Sequence, residues 1–286
     1  MERVEVNGAE LEFEAHGTGE PVLLIDMLVA DCFVPLLTEP SLATYQLIRY
    51  HKRGWRGSTH TPPPVSIGDH AEDAAALLDH LGIQRAHIAG HSTGASIAAQ
   101  MALNYSEKVH TVTLLEPTLL SLPLGQAFLK SAGPVFDSYG RGDHAGAFAM
   151  FASAASGLEW GECRALLEQR IPGVVARSVK DADTFFGVEL PSLLVWAFGP
   201  EQAAAIHRPV LSVLGAETQP LWVEIASFLR SSLPYIEECT IDGVGHLLQI
   251  QRPEPVARAM AGFMQRNPMT ATRTDYTASQ VGFVAE

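Results

Sequence analysis

Cysteine is scarce in this chain and widely spread. Cys32, Cys163 and Cys239 are the only three among 286 residues, with no CxxC pair. An odd, scattered set speaks against a disulfide framework and against a thiolate zinc site, and it fits the expected location, a reducing cytoplasm. Basic charge is short as well: 19 Lys and Arg stand against 32 Asp and Glu, a formal net charge of −13. Nucleic acid and anionic membranes both need positive patches, so neither is expected as a partner. No apolar run of about 18 residues or more occurs, so no membrane span is expected. The opening MERVEVNGAELEFEAHG carries Glu2, Glu5, Glu10, Glu12 and Glu14 without an apolar segment, and does not read as a signal peptide. What is present is 47% hydrophobic and 18% charged residues, a globular balance with enough apolar material for a large core.

Short β-type runs alternate with helical patterns over the first 120 residues or so. Arg3–Val6 and Leu11–Ala15 flank Asn7-Gly8, a hairpin signal. Pro21–Ile25 and Tyr45–Tyr50 are expected strands, and Ser66–Leu81 has helical spacing with Gly82 as a stop. Ala86–Ala89 is a short strand, Thr93–Leu103 a helix of small residues, and Thr111–Leu115 the next strand. This rhythm implies an α/β fold, a mostly parallel sheet with helices on both faces. From 118 to 207 the alternation stops and helices are expected, among them Ala145–Ser153 and Trp160–Glu168. It resumes with strand Pro209–Leu214, helix Pro220–Leu229, strand Tyr235–Ile241 and helix Pro253–Met264. The expected division is a core of 1–117 and 208–267, an inserted helical cap of 118–207, and a loose tail of 268–286.

Between strand Ala86–Ala89 and helix Thr93–Leu103 stands Gly90-His91-Ser92-Thr93-Gly94, a G-x-S-x-G match. The glycines allow strand and helix to approach closely while a sharp turn exposes the Ser92 hydroxyl, and the helix N-terminus favours developing negative charge. A serine hydroxyl needs a base. His246 follows a strand in the loop Asp242-Gly243-Val244-Gly245-His246, and only the fold could bring it to Ser92. The base in turn needs a carboxylate. After Pro209–Leu214 no Asp is found; Gly215-Ala216-Glu217-Thr218 offers Glu217. Glu116, at the end of Thr111–Leu115, is favoured, because parallel neighbouring strands end at the same sheet edge.

The elbow GHSTG, the helical insert and the ending GVGHLLQIQRPEPVARAMAGFM resemble the α/β-hydrolase superfamily, over about residues 5–265. The resemblance implies an eight-stranded, mostly parallel sheet, Ser92 as nucleophile, His246 as base, and an oxyanion-hole N–H from Thr93. Fungal lactone hydrolases that open zearalenone are similar in placing a Glu where Leu114-Leu115-Glu116-Pro117 stands. The family's usual His-Gly after the first central strand is replaced by Asp26-Met27-Leu28; the backbone of Met27 or Leu28 can still donate. Arg53-Gly54-Trp55-Arg56-Gly57-Ser58 matches a family loop expected to shape a turn beside the site. Asp26, His91, Trp196 and Trp222 are the expected pocket residues.

These readings point to a serine hydrolase of an ester or lactone with an apolar portion, acting through an acyl-enzyme with no metal or organic cofactor. A homodimer is left open. Two alternatives stand beside it: C–C bond hydrolysis or a lyase step on the same triad, and a non-catalytic receptor on a hydrolase scaffold.

Overall fold

Pro21–Ile25 is apolar at every position, as suits a strand covered on both faces. In the computed structural model of the chain, which describes residues 1–269, Val22, Leu23, Leu24 and Ile25 are fully buried. Each such side chain contributes about 1.5–3 kcal/mol of burial free energy. The strands are β1 (Glu2–Val6), β2 (Ala9–His16), β3 (Glu20–Ile25), β4 (Tyr45–Tyr50), β5 (Ala86–His91), β6 (Val109–Leu115), β7 (Val210–Gly215) and β8 (Ile236–Ile241). They form an eight-stranded sheet in the order β1-β2-β4-β3-β5-β6-β7-β8. β2 pairs antiparallel with β1 and β4, and every other pairing is parallel.

Register decides where chemistry can gather. Ile25 lies level with Gly90, His91 with Leu115, and Leu115 with Val213. Three central strands therefore end in line, and the residues that follow them, Asp26, Ser92 and Glu116, emerge along one edge. β5 runs to His91, further than Ala86–Ala89, because the chain turns only at Ser92.

Helix α1 (Ile67–His80) starts at a capping box: Ser66 Oγ accepts from Asp69 N at 3.1 Å, and Asp69 Oδ2 accepts from Ser66 N at 2.7 Å. Helix α2 (Thr93–Asn104) is built of small residues, which lets it lie against the sheet. Gly94 shows how tight the fit is, since a Cβ there would stand 2.1 Å from the Ile25 carbonyl oxygen.

Between β6 and β7 the chain is helical: α3 (Pro123–Ser131), α4 (Gly133–Gly140), α5 (His144–Ser156), α6 (Trp160–Arg170), α7 (Val174–Lys180), α8 (Ala182–Thr184), a π-helical turn (Phe185–Glu189), α9 (Leu190–Val195) and α10 (Pro200–Ala204). Helices α11 (Pro220–Ser232), α12 (Leu248–Gln251) and α13 (Pro253–Arg266) complete the core. The short α12 and the π turn have no counterpart in the sequence reading. The tail expected over 268–286 lies outside the described residues apart from Pro268 and Met269.

Candidate active site

Ser92 occupies the turn between β5 and α2 with φ 53° and ψ −116°, a conformation that L residues rarely adopt. The turn is held from several sides. Ser92 N donates to Leu115 O at 2.9 Å, and Ser92 O accepts from Thr118 N and Ser96 N, both at 3.2 Å. The hydroxyl itself is 3.1 Å from Thr118 Oγ1. Among the described residues it forms no hydrogen bond with a histidine.

Glu116 also has positive φ, 42°, and its carboxylate turns toward the ends of β7 and β8. Oε1 accepts from Gly215 N at 2.8 Å, while Oε2 accepts from Thr218 Oγ1 at 2.9 Å and lies 2.6 Å from His246 Nδ1. The end of β7 and the loop after it thus supply donors to a carboxylate that follows β6. Glu217, the other acid weighed from sequence, is exposed, and its backbone N donates to Val244 O at 2.9 Å; the carboxylate bonded to His246 is that of Glu116. With Nδ1–H given to Glu116, the imidazole's Nε2 is left bare and can accept a proton.

Burial sets the electrostatics. It pushes the Glu116 carboxyl up to about 7 against the lowering pull of the Gly215 N–H, and it pushes His246 down to about 3, so the imidazole is neutral near pH 7. Trp222 lies flat on His246, with centroids 3.8 Å apart and planes within 2°. His91 touches the same ring at 4.8 Å and a 52° tilt, and burial followed by the nearness of His246 lowers its own pKa.

The turn after β3 departs from expectation. Asp26 was expected beside the pocket, yet its carboxylate folds back into its own loop. Oδ2 accepts from Asp31 N at 2.9 Å, and Oδ1 from Phe33 N at 3.2 Å and the Cys32 thiol at 3.1 Å. Three donors satisfy a carboxyl group whose pKa is raised by burial and then by nearby Asp31, both of which disfavour its charged form. Leu28 is the residue of this turn that reaches the cavity. Thr93, as first residue of α2, has an amide with no intrahelical acceptor.

A narrow cavity with about 30 Å³ of free volume adjoins Ser92; Leu28, Thr93, Thr118, Phe151, Phe185 and Trp222 are among its walls, and no charged side chain lines it. That is room for about one water, so a substrate needs side chains of the helical insert to shift. Two expected pocket residues lie elsewhere. Trp196 gives its half-buried indole N–H to Gln100 on α2 at 2.7 Å and stacks on Phe198, which takes it away from the cavity. His91 is fully buried and accepts from Gln249 Nε2 at 2.8 Å. Thr118 and Thr218 escaped the sequence reading; Thr118, two residues past Glu116, could have been found from the strand-end position alone. Among the described residues no group of three or more His, Cys, Asp or Glu is placed to hold a metal, and no helix is long and apolar enough to cross a membrane.

Known proteins sharpen the assignment. A sequence named as a carbamate hydrolase, RutD, in Azorhizobium caulinodans is 35% identical over 108 residues, which span 37% of this chain and 41% of that protein. The carboxylesterase YbfK of Bacillus subtilis is 25% identical over 208 residues, 68% of this chain and 63% of the relative. The enol-lactonase of Burkholderia xenovorans LB400 superposes with a TM-score of 0.75 at 18% identity, covering 92% of this chain and all of that one, and so speaks for the fold. The profile of the alpha/beta hydrolase fold family matches residues 29–253, well over half of the sequence. The chain belongs to the alpha/beta hydrolase fold family.

Proposed function

We propose that the protein is a cofactor-free serine hydrolase of carboxylic esters or lactones with an apolar portion, using Ser92, His246 and Glu116. The observation that carries this is the convergence at one sheet edge of a strained, cavity-lining Ser92 and a neutral His246 whose Nδ1 is 2.6 Å from a buried Glu116. Substrate binding moves the Ser92 hydroxyl from Thr118 to His246 Nε2, in keeping with the looser geometry of empty sites. Ser92 Oγ then attacks the carbonyl carbon as Nε2 takes its proton. The amides of Thr93 and of Met27 or Leu28 hold the oxyanion. The imidazolium returns the proton to the departing alkoxide, leaving an acyl-enzyme. Water, deprotonated by His246, releases the acid and restores Ser92.

The helices between β6 and β7 act as the cap of the site, and the uncharged walls of the cavity suit an apolar acyl group or ring. The carboxylesterase named above supports this substrate class. The altered Asp26-Met27 turn is compatible with catalysis because the Asp26 carboxylate is engaged by Asp31 N, Phe33 N and the Cys32 thiol. The test is a panel of aryl esters and lactones run on wild type and Ser92→Ala, with products analysed. One acid and one alcohol per ester, lost in Ser92→Ala, is the expected result. Cleavage of ketones instead would support the C–C alternative, and no turnover with tight binding the receptor.

A further inference from the structure

The contact between Trp222 and His246 does more than fill space. A single bond from Nδ1 to Glu116 fixes one atom of the imidazole but lets the ring pivot about the line joining Nδ1 to Oε2. A flat indole 3.8 Å away, parallel within 2°, removes that freedom. Trp222 is itself well fixed. It is buried in the first turn of α11, and its Nε1 donates to Ala155 O, in helix α5 of the insert, at 3.4 Å. The same side chain lines the cavity at Ser92, whereas His246 does not. The face of an indole carries negative quadrupole potential, and it attracts a cation far more strongly than a neutral ring. The charge on His246 changes in just that sense when Ser92 gives up its proton.

We propose that Trp222 is the positioning residue of the catalytic base: it fixes the plane of the His246 ring so that Nε2 faces Ser92, and its π face stabilises the imidazolium formed on proton transfer. This rests on the reading of Ser92, His246 and Glu116 given above. Because its N–H is held by Ala155, Trp222 also ties the base to the insert, so that a displaced cap leaves the imidazole less well aimed.

The test compares Trp222→Leu and Trp222→Phe on a small aryl ester that leaves most of the cavity unused, reading kcat, KM and the single-turnover acylation rate. Trp222→Leu is expected to lower kcat and the acylation rate by about three- to thirtyfold, with KM changed by less than about threefold, and Trp222→Phe to recover most of the loss. Should Trp222→Leu fail to fold, fluorinated tryptophan incorporated at all four Trp positions keeps the shape and drains the π face; acylation is expected to slow as fluorination increases. Equal rates for the Leu and Phe variants, a loss confined to KM, or indifference to fluorination would overturn the proposal. Organophosphonate labelling of Ser92, run alongside, separates the two levels. Labelling with unaffected Trp222 variants removes this proposal alone, whereas no labelling and persistent turnover in Ser92→Ala removes the triad beneath it.

Discussion

Three donors converge on the buried carboxylate of Glu116: Gly215 N–H, the Thr218 hydroxyl and the His246 ring. Glu116→Gln exchanges an acceptor for an amide and inverts the tautomer required of His246. A loss of about 10³–10⁴ in kcat is expected, against little change for exposed Glu217→Gln, as steady-state kinetics on any turned-over ester will show. The reverse ranking would move the acid to the loop after β7. The pH dependence follows from the same burial. Glu116 must be ionised to work and titrates at about 7, so kcat should fall as pH drops through neutrality. Thr218→Val removes a bond that favours the charged form, so the midpoint should move to higher pH. Stability has the opposite sign. An acid with a raised folded pKa contributes fully below its unfolded value and loses that contribution as pH rises through about 7, on the order of 3 kcal/mol here. Thermal melts between about pH 4.5 and 7 should therefore show a shallower decline with rising pH in Glu116→Gln than in wild type. A mismatch in slope sign would show that the carboxylate is not destabilised by burial.

At the scale of elements, the elbow depends on α2 lying against the end of β3. Gly94→Ala would drive a methyl to 2.1 Å from Ile25 O, a backbone contact that cannot relax without moving the turn that carries Leu28. Both stability and turnover should fall, and loss of turnover without loss of melting temperature would be unexpected. The insert is fastened to the core by an ion pair of 2.7 Å between Lys52 and Glu189, both fully buried, with Trp55 Nε1 also donating to the Glu189 carboxylate at 2.9 Å. Lys52→Met strands that carboxylate and should cost about 3–5 kcal/mol, while Lys52→Met with Glu189→Leu should recover most of it in denaturant titrations. Such pairs mark where the sequence was opaque. Periodicity and turn chemistry are local, so the hairpin, α1 with its Gly82 stop and the strand-turn-helix around Ser92 were legible. Lys52 with Glu189, Ser92 with Thr118 and Trp222 with His246 depend on tertiary placement, which no spacing rule reports. The positive φ of Glu116 and the inward fold of Asp26 were hidden for the same reason. A carboxylate's partners, rather than its position, determine whether it opposes an oxyanion.

Over the whole molecule, one flank of the insert is bolted down. Arg177 reaches Asp31 at 3.3 Å, Arg56 pairs with Asp181, and Thr184 donates to Gly54 O at 2.5 Å. His51 and Arg49 hold Asp31 well below the usual carboxylate range despite its burial, which favours its ionised form. The cavity at Ser92 has no cation on its walls. An acyl group ending in a carboxylate would have to bury an unpaired charge, so kcat/KM for such an ester should lie at least about a hundredfold below that for its methyl-capped analogue. Comparable values for the two would place a cation within reach of the substrate. The central claim, that Ser92 is a nucleophile activated by His246 and Glu116, is tested most directly by mass spectrometry after exposure to an aryl organophosphonate. One adduct per chain on Ser92, formed rapidly in wild type and far more slowly in Glu116→Gln, is the predicted result; no adduct on Ser92 in the folded wild-type protein would contradict it.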